Sequence, residues 1–505
     1  MERVRKQKWP AVVLTLGLCH PMISVALAED QIDPGLRSIS PSRLQAKPAD
    51  QRRTGNSPAG SEKSSSKGSS KGSANGRSSS GSGPDAVMVK EDSQTLGLEQ
   101  AVRLAVDWHP SISEAIGTLY QQAEGINVAE AGYYPQISGG IKGGYTSGYG
   151  SDDGSQSVSI SLKQMLYDFG KVSNSVEAAR AKVARSQASI LLTIDQVSRD
   201  TAFAYIEVQR YQHLVDIARE QIRGIGDIVE LAKQRSDMGA STRSDVVQAQ
   251  SRAEGGMATL QEYKALYARW QSTLTNLLGR QTPPQVSDTF TPSMTDACTA
   301  SVSTDALPAV LQAVAQRTQA QAELAQAKAE AYPTLSLQPS INQFLDDHYD
   351  DQNSRINRTQ AGIFLNLEVP IYQGGAISAR SRAANYALTA ADSAEDAARL
   401  QARQGLGEAQ AQTSGLTRRL SSLESRQTSI TEARELYGRQ YLELGTRPLL
   451  DLLNAEQEIH QSRFDLANTQ ADLRRLQIDC LYNSGALRRA FGIDHSTIQH
   501  VEILP

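Results

Sequence analysis

Beyond its first thirty residues the 505-residue chain holds no apolar run near the ~18 residues that a membrane-spanning helix requires. If the mature protein crosses a bilayer, it must do so with strands. Aromatic residues are also scarce, at 5% of the total, which is thin material for several compact enzyme cores in a chain this long. Only Cys298 and Cys480 lie beyond the N-terminal leader, so there is no disulfide framework. A single bridge between them is open, but two buried apolar thiols are the expected state, because Cys480 falls on an apolar heptad position. The chain also lacks a basic body. Its net charge of −4 conceals +3 in residues 1–28, +4 in residues 29–90 and −11 in the remainder. So acidic a body repels phosphate, and no nucleic-acid partner is expected.

What is present begins with an address. Residues 1–8 read MERVRKQK, an apolar run follows from Trp9, and Ala26-Leu27-Ala28 precedes Glu29-Asp30. These are the parts of a secretory signal peptide, with cleavage after Ala28. An uncleaved anchor is the alternative; Leu18 before Cys19 argues against a lipidation site. Residues 29–92 form a Ser/Gly/Lys-rich linker that has no apolar periodicity and cannot offset the entropy of ordering. It is expected to be a basic tether, either solvated or touching anionic lipid or peptidoglycan.

The body repeats itself. Tyr134-Pro135 returns as Tyr332-Pro333, Tyr167-Asp168-Phe169-Gly170 as Tyr372-Gln373-Gly374-Gly375, and Gly239 with Asp245 as Gly445 with Asp451. Ordered anchors at a nearly constant offset mean a duplicated unit. The units are residues 93–285 and 306–492, separated by an inter-repeat segment, 286–305, and followed by a C-terminal tail, 493–505. Each unit carries two alternating segments. Val158, Ile160 and Leu162 share one strand face, and Ile363, Leu365, Leu367, Val369 and Ile371 share another; weaker partners surround Ile137–Tyr145 and Leu335–Ile341. A soluble hairpin packed on helices would alternate in the same way, but the export signal and the missing spanning helix favour outer-membrane strands. Four strands cannot close a barrel. Open edges in lipid cost several kcal/mol per unpaired backbone group, so identical chains must complete the sheet, and three chains supply twelve strands.

Helical stretches near 170–238 and 376–444 contain few breakers, and each is about 100 Å long at 1.5 Å per residue. Leu452, Ile459, Leu466, Leu473 and Cys480 recur every seventh position, as do Val246, Ala253, Leu260, Tyr267 and Leu274. That spacing marks coiled-coil packing of the return helices.

The segments at Thr95–Ala115, Tyr134-Pro135, Gln164–Val172 and Leu444–Gln457, taken in order, resemble the TolC-type outer-membrane efflux and secretion channels across residues 93–492. The resemblance implies a mainly α fold with a membrane β-barrel contribution: a trimeric α-helical periplasmic barrel joined to a shared twelve-stranded outer-membrane β-barrel. It also implies an equatorial band built from the inter-repeat segment and the C-terminal stretch. The implied partners are a homotrimer, outer-membrane lipid, a periplasmic adaptor protein and an inner-membrane transporter. Drug, metal and protein cargoes all remain open.

Isolated motifs carry less. Asp168-Phe169-Gly170 echoes a kinase metal-binding triplet, but no phosphate loop or catalytic Asp accompanies it. It reads better as a strand-to-helix turn in which Asp168 caps the helix and Gly170, like Gly374 and Gly375 in the second unit, permits the bend. The seven His lack metal spacing, the acidic turn Asp346–Asp351 reads as a solvated loop, and no catalytic set, cofactor or metal site is expected.

Each Gly-x5-Asp motif must return a long helix, which places it at the periplasmic tip. By resemblance, Asp451 would form a threefold acidic ring and Arg447 would pair with Asp245 and Ser244. Asn454 stands where a second acid can occur, and Leu442 where a gate Tyr can occur. Converging carboxylates favour cations; the plainer reading is that Asp245 and Asp451 cap the returning helices. Gly239, Ser241, Gly445 and Thr446 are the expected adaptor-docking residues, small enough for close approach. The alternative functions are a periplasmic coiled-coil adaptor and a structural or adhesive surface protein, neither of which would have a conductance.

Overall fold

The computed structural model describes residues 95–148, 151–287, 294, 296–299, 304–345, 358–494, 496–499 and 501–502. The expected signal peptide and linker, the turn Asp346–Asp351 and most of the inter-repeat segment lie outside the described residues. Among those described, no helix is long and apolar enough to cross a membrane.

The first half runs α1 (Leu98–Trp108), α2 (Pro110–Glu130), β1 (Gln136–Gly148), β2 (Ser151–Tyr167), α3 (Lys171–Asp237) and α4 (Arg243–Leu277). The second half contains α5 (Pro308–Ala329), β3 (Thr334–Phe344), β4 (Thr359–Glu368), α6 (Ala376–Arg439) and α7 (Leu449–Ser484). The short α8 (Leu487–Ala490) and the two-residue strands β5 (Thr497–Ile498) and β6 (Val501–Glu502) follow. Helices α3 and α6 contain 67 and 64 residues, each about 100 Å of continuous helix.

The four long strands form one antiparallel sheet in the order β1-β2-β3-β4. Its registers set Ile141 opposite Val158, Ile160 opposite Ile341, and Leu337 opposite Leu365. Those side chains share an apolar face with Ile363, and no other described residue covers the most open of them: Ile141 is 80% exposed and Ile363 75%. Ser138 and Ser161 pair on the other face, their hydroxyls 2.8 Å apart. Phe364 breaks the alternation, because its ring lies over Gly362 and fills the space a Cβ would take. The expected β4 was too long. It ends at Glu368, so Val369 and Ile371 fall outside it; Pro370 has no N–H to donate to a ladder.

Each hairpin passes into its long helix through a left-handed turn. Gly170 has φ 92°, Gly374 60° and Gly375 81°, conformations that favour glycine. As the sequence suggested, Asp168 caps α3, its carboxylate accepting from the N–H groups of Gly170 (3.0 Å) and Val172 (2.7 Å). The Lys171 ammonium donates to the Tyr332 carbonyl at 2.8 Å, tying the two repeats together at this level. Phe169 stacks on Tyr332 with centroids 5.4 Å apart. Exposed Tyr134 lies just before β1 and exposed Tyr372 just after β4, and amphipathic rings of this kind suit a membrane–water interface.

Helices α3 and α7 run antiparallel along a ladder of charges. Arg199 meets Asp479 at 2.6 Å, Glu207 meets Arg475 at 3.1 Å, Arg210 meets Asp472, and Glu220 meets Arg463. Near α8 the Arg488 guanidinium donates to buried Asp195 at 2.6 Å. Burial pushes the Asp195 carboxyl up to about 6, although Arg488 pulls it down.

Cys298 and Cys480 are joined by a disulfide, so the expectation of two free thiols was wrong. Cys480 is fully buried on its helical seam, as its heptad place implied. Periodicity within one helix carries no information about the irregular segment that folds across it. That segment is also held to α6, where the Gln410 side chain donates to the Cys298 carbonyl at 3.0 Å.

Removing this bond with Cys298→Ala and Cys480→Ala should cost roughly 2–5 kcal/mol, read as an earlier denaturation midpoint that reductant reproduces in the parent protein. An acid that binds its proton more tightly in the folded state stabilises that state most at low pH. Asp195 therefore contributes stability that is complete below about pH 4 and lost as pH rises through about 6. Chemical denaturation across that window should show this loss in the parent protein and a flatter profile in Asp195→Asn.

Candidate functional site

The end of the helical hairpins opposite the sheet gathers most of the residues singled out by sequence. Helix α3 stops at Asp237, and Gly239 follows at φ 72°. The Gly239 and Ala240 N–H groups donate back to Ser236 (3.0 Å) and Arg235 (2.7 Å), satisfying carbonyls that the helix leaves free. Helix α4 then starts with a capping box. The Thr242 hydroxyl accepts from the Asp245 N–H (3.2 Å), and the Asp245 carboxylate accepts from the Thr242 N–H (3.0 Å) and the Ser241 hydroxyl (2.8 Å). These hydrogen bonds, that from Ser241 foremost, hold the Asp245 carboxyl below its ordinary range.

The second return is built differently. After Arg439 the helix widens into a π-turn, Gln440–Leu444, and Gly445 reverses the chain at φ 61°. The Arg447 guanidinium donates to Gln440 Oε1 (3.0 Å) and Asp451 Oδ2 (2.8 Å) and lies 4.3 Å from the centre of the Tyr437 ring. Within the chain, then, Arg447 is paired with Asp451 and not with Asp245 or Ser244. The reason is local: Asp451 lies one helical turn on, while Asp245 is engaged by its own capping box. Ser244 is exposed in the first turn of α4. Gly239 and Gly445 have open space where a Cβ would stand, so their positive φ already accounts for glycine there. Thr446 donates its N–H to the Gln440 carbonyl at 3.2 Å. Leu442 is exposed and has no group with which to make a polar tie.

Contacts between the two returns come mostly from residues that the sequence did not single out, joined by Leu452 of the heptad and by Asn454. Ile225, Ile228 and Ala232 of α3 pack with Leu449, Leu452 and Leu453 of α7 and with Tyr441. Arg235 lies 4.6 Å from the centre of the Tyr441 ring and donates to its carbonyl at 3.3 Å. From α4, Arg252 donates to Gln457 and, at 3.5 Å, to Asn454. On the opposite side of α7, buried Glu456 accepts from Arg434 of α6 at 2.9 Å and lies 3.2 Å from His460. Burial raises the Glu456 carboxyl, but hydrogen bonds to His460 and Arg434 outweigh it and bring it below its usual range. Gly224 leaves room for this group, since a Cβ there would overlap Glu456. An acid on the apolar side of a heptad helix was the one sequence signal that could have exposed this cluster.

The arrangement is a pair of helix returns clasped by arginines. Among the described residues no group of three or more His, Cys, Asp or Glu could hold a metal ion. Replacing Asp245 with Ala should remove the reciprocal half of the capping box while the Thr242 cap stays, at a cost of about 1 kcal/mol, seen as roughly fivefold faster amide exchange across residues 239–249 with the sheet amides unchanged.

Comparison with known proteins agrees with this architecture. A family model described as outer membrane efflux protein matches residues 101–280 and 304–479. The chain is 25% identical to the outer membrane efflux protein BepC of Brucella suis over 386 residues, covering 74% of this chain and 80% of that one. It is 30% identical to the proteases secretion protein PrtF of Dickeya chrysanthemi over 169 residues, 33% and 35% of the two chains. The solved structure of the outer membrane protein VceC from Vibrio cholerae superimposes with a TM-score of 0.67 at 19% identity, covering 77% of this chain and 96% of that one. The two matched segments together take in well over half of the sequence, and the chain belongs to the outer membrane efflux protein family.

Proposed function

We propose that three copies of the chain form the exit duct of a tripartite efflux or type I secretion system. Each would contribute four strands to a twelve-stranded barrel in the outer membrane and its long helices to a tube through the periplasm. The observation that carries this reading is the sheet: it presents an apolar face and two unpartnered edge strands, β1 and β4, at one end of helices about 100 Å long. A bilayer tolerates such a sheet only if its edges are paired, and identical neighbours pair them with one repeated contact.

The far ends of the helices would then meet around the threefold axis. Three copies of Asp451, each with Arg447 beside it, would ring the constriction, with Asp245 and Ser244 on the neighbouring return and Asn454 one turn deeper. The surface around Gly239, Ser241, Gly445 and Thr446 would receive a periplasmic adaptor, which links the duct to an inner-membrane transporter. Substrate passes through without chemical change, and cargo choice belongs to the transporter.

Purified protein in a planar lipid bilayer should give discrete conductance steps, and cross-linking should yield a trimer. A protein that stays monomeric and never conducts would leave only a structural or adaptor role. Asp451→Asn should raise the half-blocking concentration of a trivalent cation by roughly tenfold or more, since like charges focused in a narrow opening concentrate counter-ions by that order.

A further inference from the structure

We propose that the groove between α2, α3 and α5 is a luminal way-station for an acidic oligosaccharide, so that hydrophilic glycan is the cargo the duct suits. This rests on the reading of the chain as one third of a tube. The groove runs along α3 from Lys182 to Gln196, with α2 and α5 as its walls, and holds about 670 Å³. At 1.5 Å per residue it is roughly 20 Å long. Its side of α3 is fixed by what occupies the other. There Arg488 of α8 reaches Asp195, and the Tyr205 hydroxyl meets the carbonyls of Leu96 (2.8 Å) and Ser287 (2.7 Å). Those partners belong to segments that cross the helices as a band, and a band inside a tube would plug it. At about 100° per residue, Lys182, Ser189, Thr193 and Gln196 lie on the face of α3 turned away from the band, which in the tube is the lumen.

The lining decides what the groove can take. Hydroxyls come from Thr118, Ser189 and Thr193, and amides from Gln122, Gln196 and Gln312. Ala115 is the one apolar side chain among the lining residues, so an apolar drug, which needs a largely hydrophobic pocket, gains little here. Lys182 and Arg185 face a single lining acid, Glu114, in a body whose net charge from residue 91 onward is −11. Lys182 leans toward Glu323 at 3.9 Å, whereas exposed Arg185 makes no ion pair among the described residues. The cations therefore favour an anionic group, and the hydroxyls and amides favour a chain that carries hydroxyls beside it. Residues three or four apart on α2 and α3 rise in steps of roughly 5 Å, about the length of one sugar ring. A peptide would look for backbone pairing or for apolar pockets, but the walls are helices whose backbone groups are already paired. Both bases are exposed, so the hold is weak and screened by salt, as passage requires. The transporter still chooses the cargo; the groove suits what it delivers.

The test is single-channel recording of the full-length purified trimer in planar bilayers, with tetragalacturonate as the probe and thermal denaturation of the same samples as the check on folding. Tetragalacturonate should interrupt the current in discrete blocks that become rarer as salt rises. Lys182→Gln combined with Arg185→Gln should raise its half-blocking concentration on the order of tenfold, with the melting midpoint unchanged. Ser189→Asp, which adds a carboxylate to the groove, should act in the same direction and decides alone if the double variant fails to assemble. Arg489→Gln is the control: the Arg489 side chain is 84% exposed on α8, within the band, and its loss removes charge without touching the groove. Maltotetraose, neutral but rich in hydroxyls, should block only at higher concentration than tetragalacturonate, and so should tetraglutamate, acidic but without hydroxyls. Current left unblocked by tetragalacturonate, block that the groove variants do not weaken, or an equal effect from Arg489→Gln overturns the site. Equal or stronger block by maltotetraose or tetraglutamate overturns the acidic glycan as its ligand. A parent protein that never conducts defeats the channel reading instead, which separates the two failures.

Discussion

Backbone groups in a bilayer have no water to fall back on, and this constraint governs the whole molecule. The sheet pairs β1 with β2, β2 with β3 and β3 with β4, which leaves the outer edges of β1 and β4 bearing donors and acceptors without strand partners among the described residues. A soluble protein blunts such edges with charge, proline or a covering loop. Here they flank an apolar face carrying exposed Ile137, Ile141, Ile363 and Leu365. The edge is therefore the part of the subunit that requires its neighbours, and the rest of the fold carries that requirement outward along the helices.

The helices solve a different problem, that of staying together without a thick core. A wall wet on both sides cannot bury large apolar area, so α3 and α7 are matched by Arg199–Asp479, Glu207–Arg475, Arg210–Asp472 and Glu220–Arg463. Where both partners reach water, as in Glu220–Arg463, such a pair adds little on its own. Spaced along two antiparallel helices, they specify one register. Toward the returns the ladder gives way to Gly224 against Glu456 and then to an apolar cluster.

Elements that depend on local chemistry were legible. Asp168 as a cap and the glycines of the turns follow from which residues satisfy a helix start or adopt positive φ. The strands were visible through their alternation, although Pro370 ended β4 sooner than the apolar pattern alone suggested. What sequence did not show were contacts between distant segments. Cys298 lies in an irregular stretch with no periodicity to locate it. Arg252 looks like any solvated arginine on a helix surface until folding brings Asn454 and Gln457 beside it. Within the chain Arg447 pairs with Asp451, an acid four residues away, where the resemblance implied Asp245 and Ser244.

The covalent link between Cys298 and Cys480 closes a ring through α5, β3, β4, the whole of α6 and nearly all of α7. A chain that leaves the cytoplasm threaded through a narrow translocation pore is linear while it does so. The ring can close only after residue 480 has emerged. Sealing therefore waits until α6 and nearly all of α7 have been exported, and joining the two thiols requires a two-electron oxidant on the far side of the inner membrane.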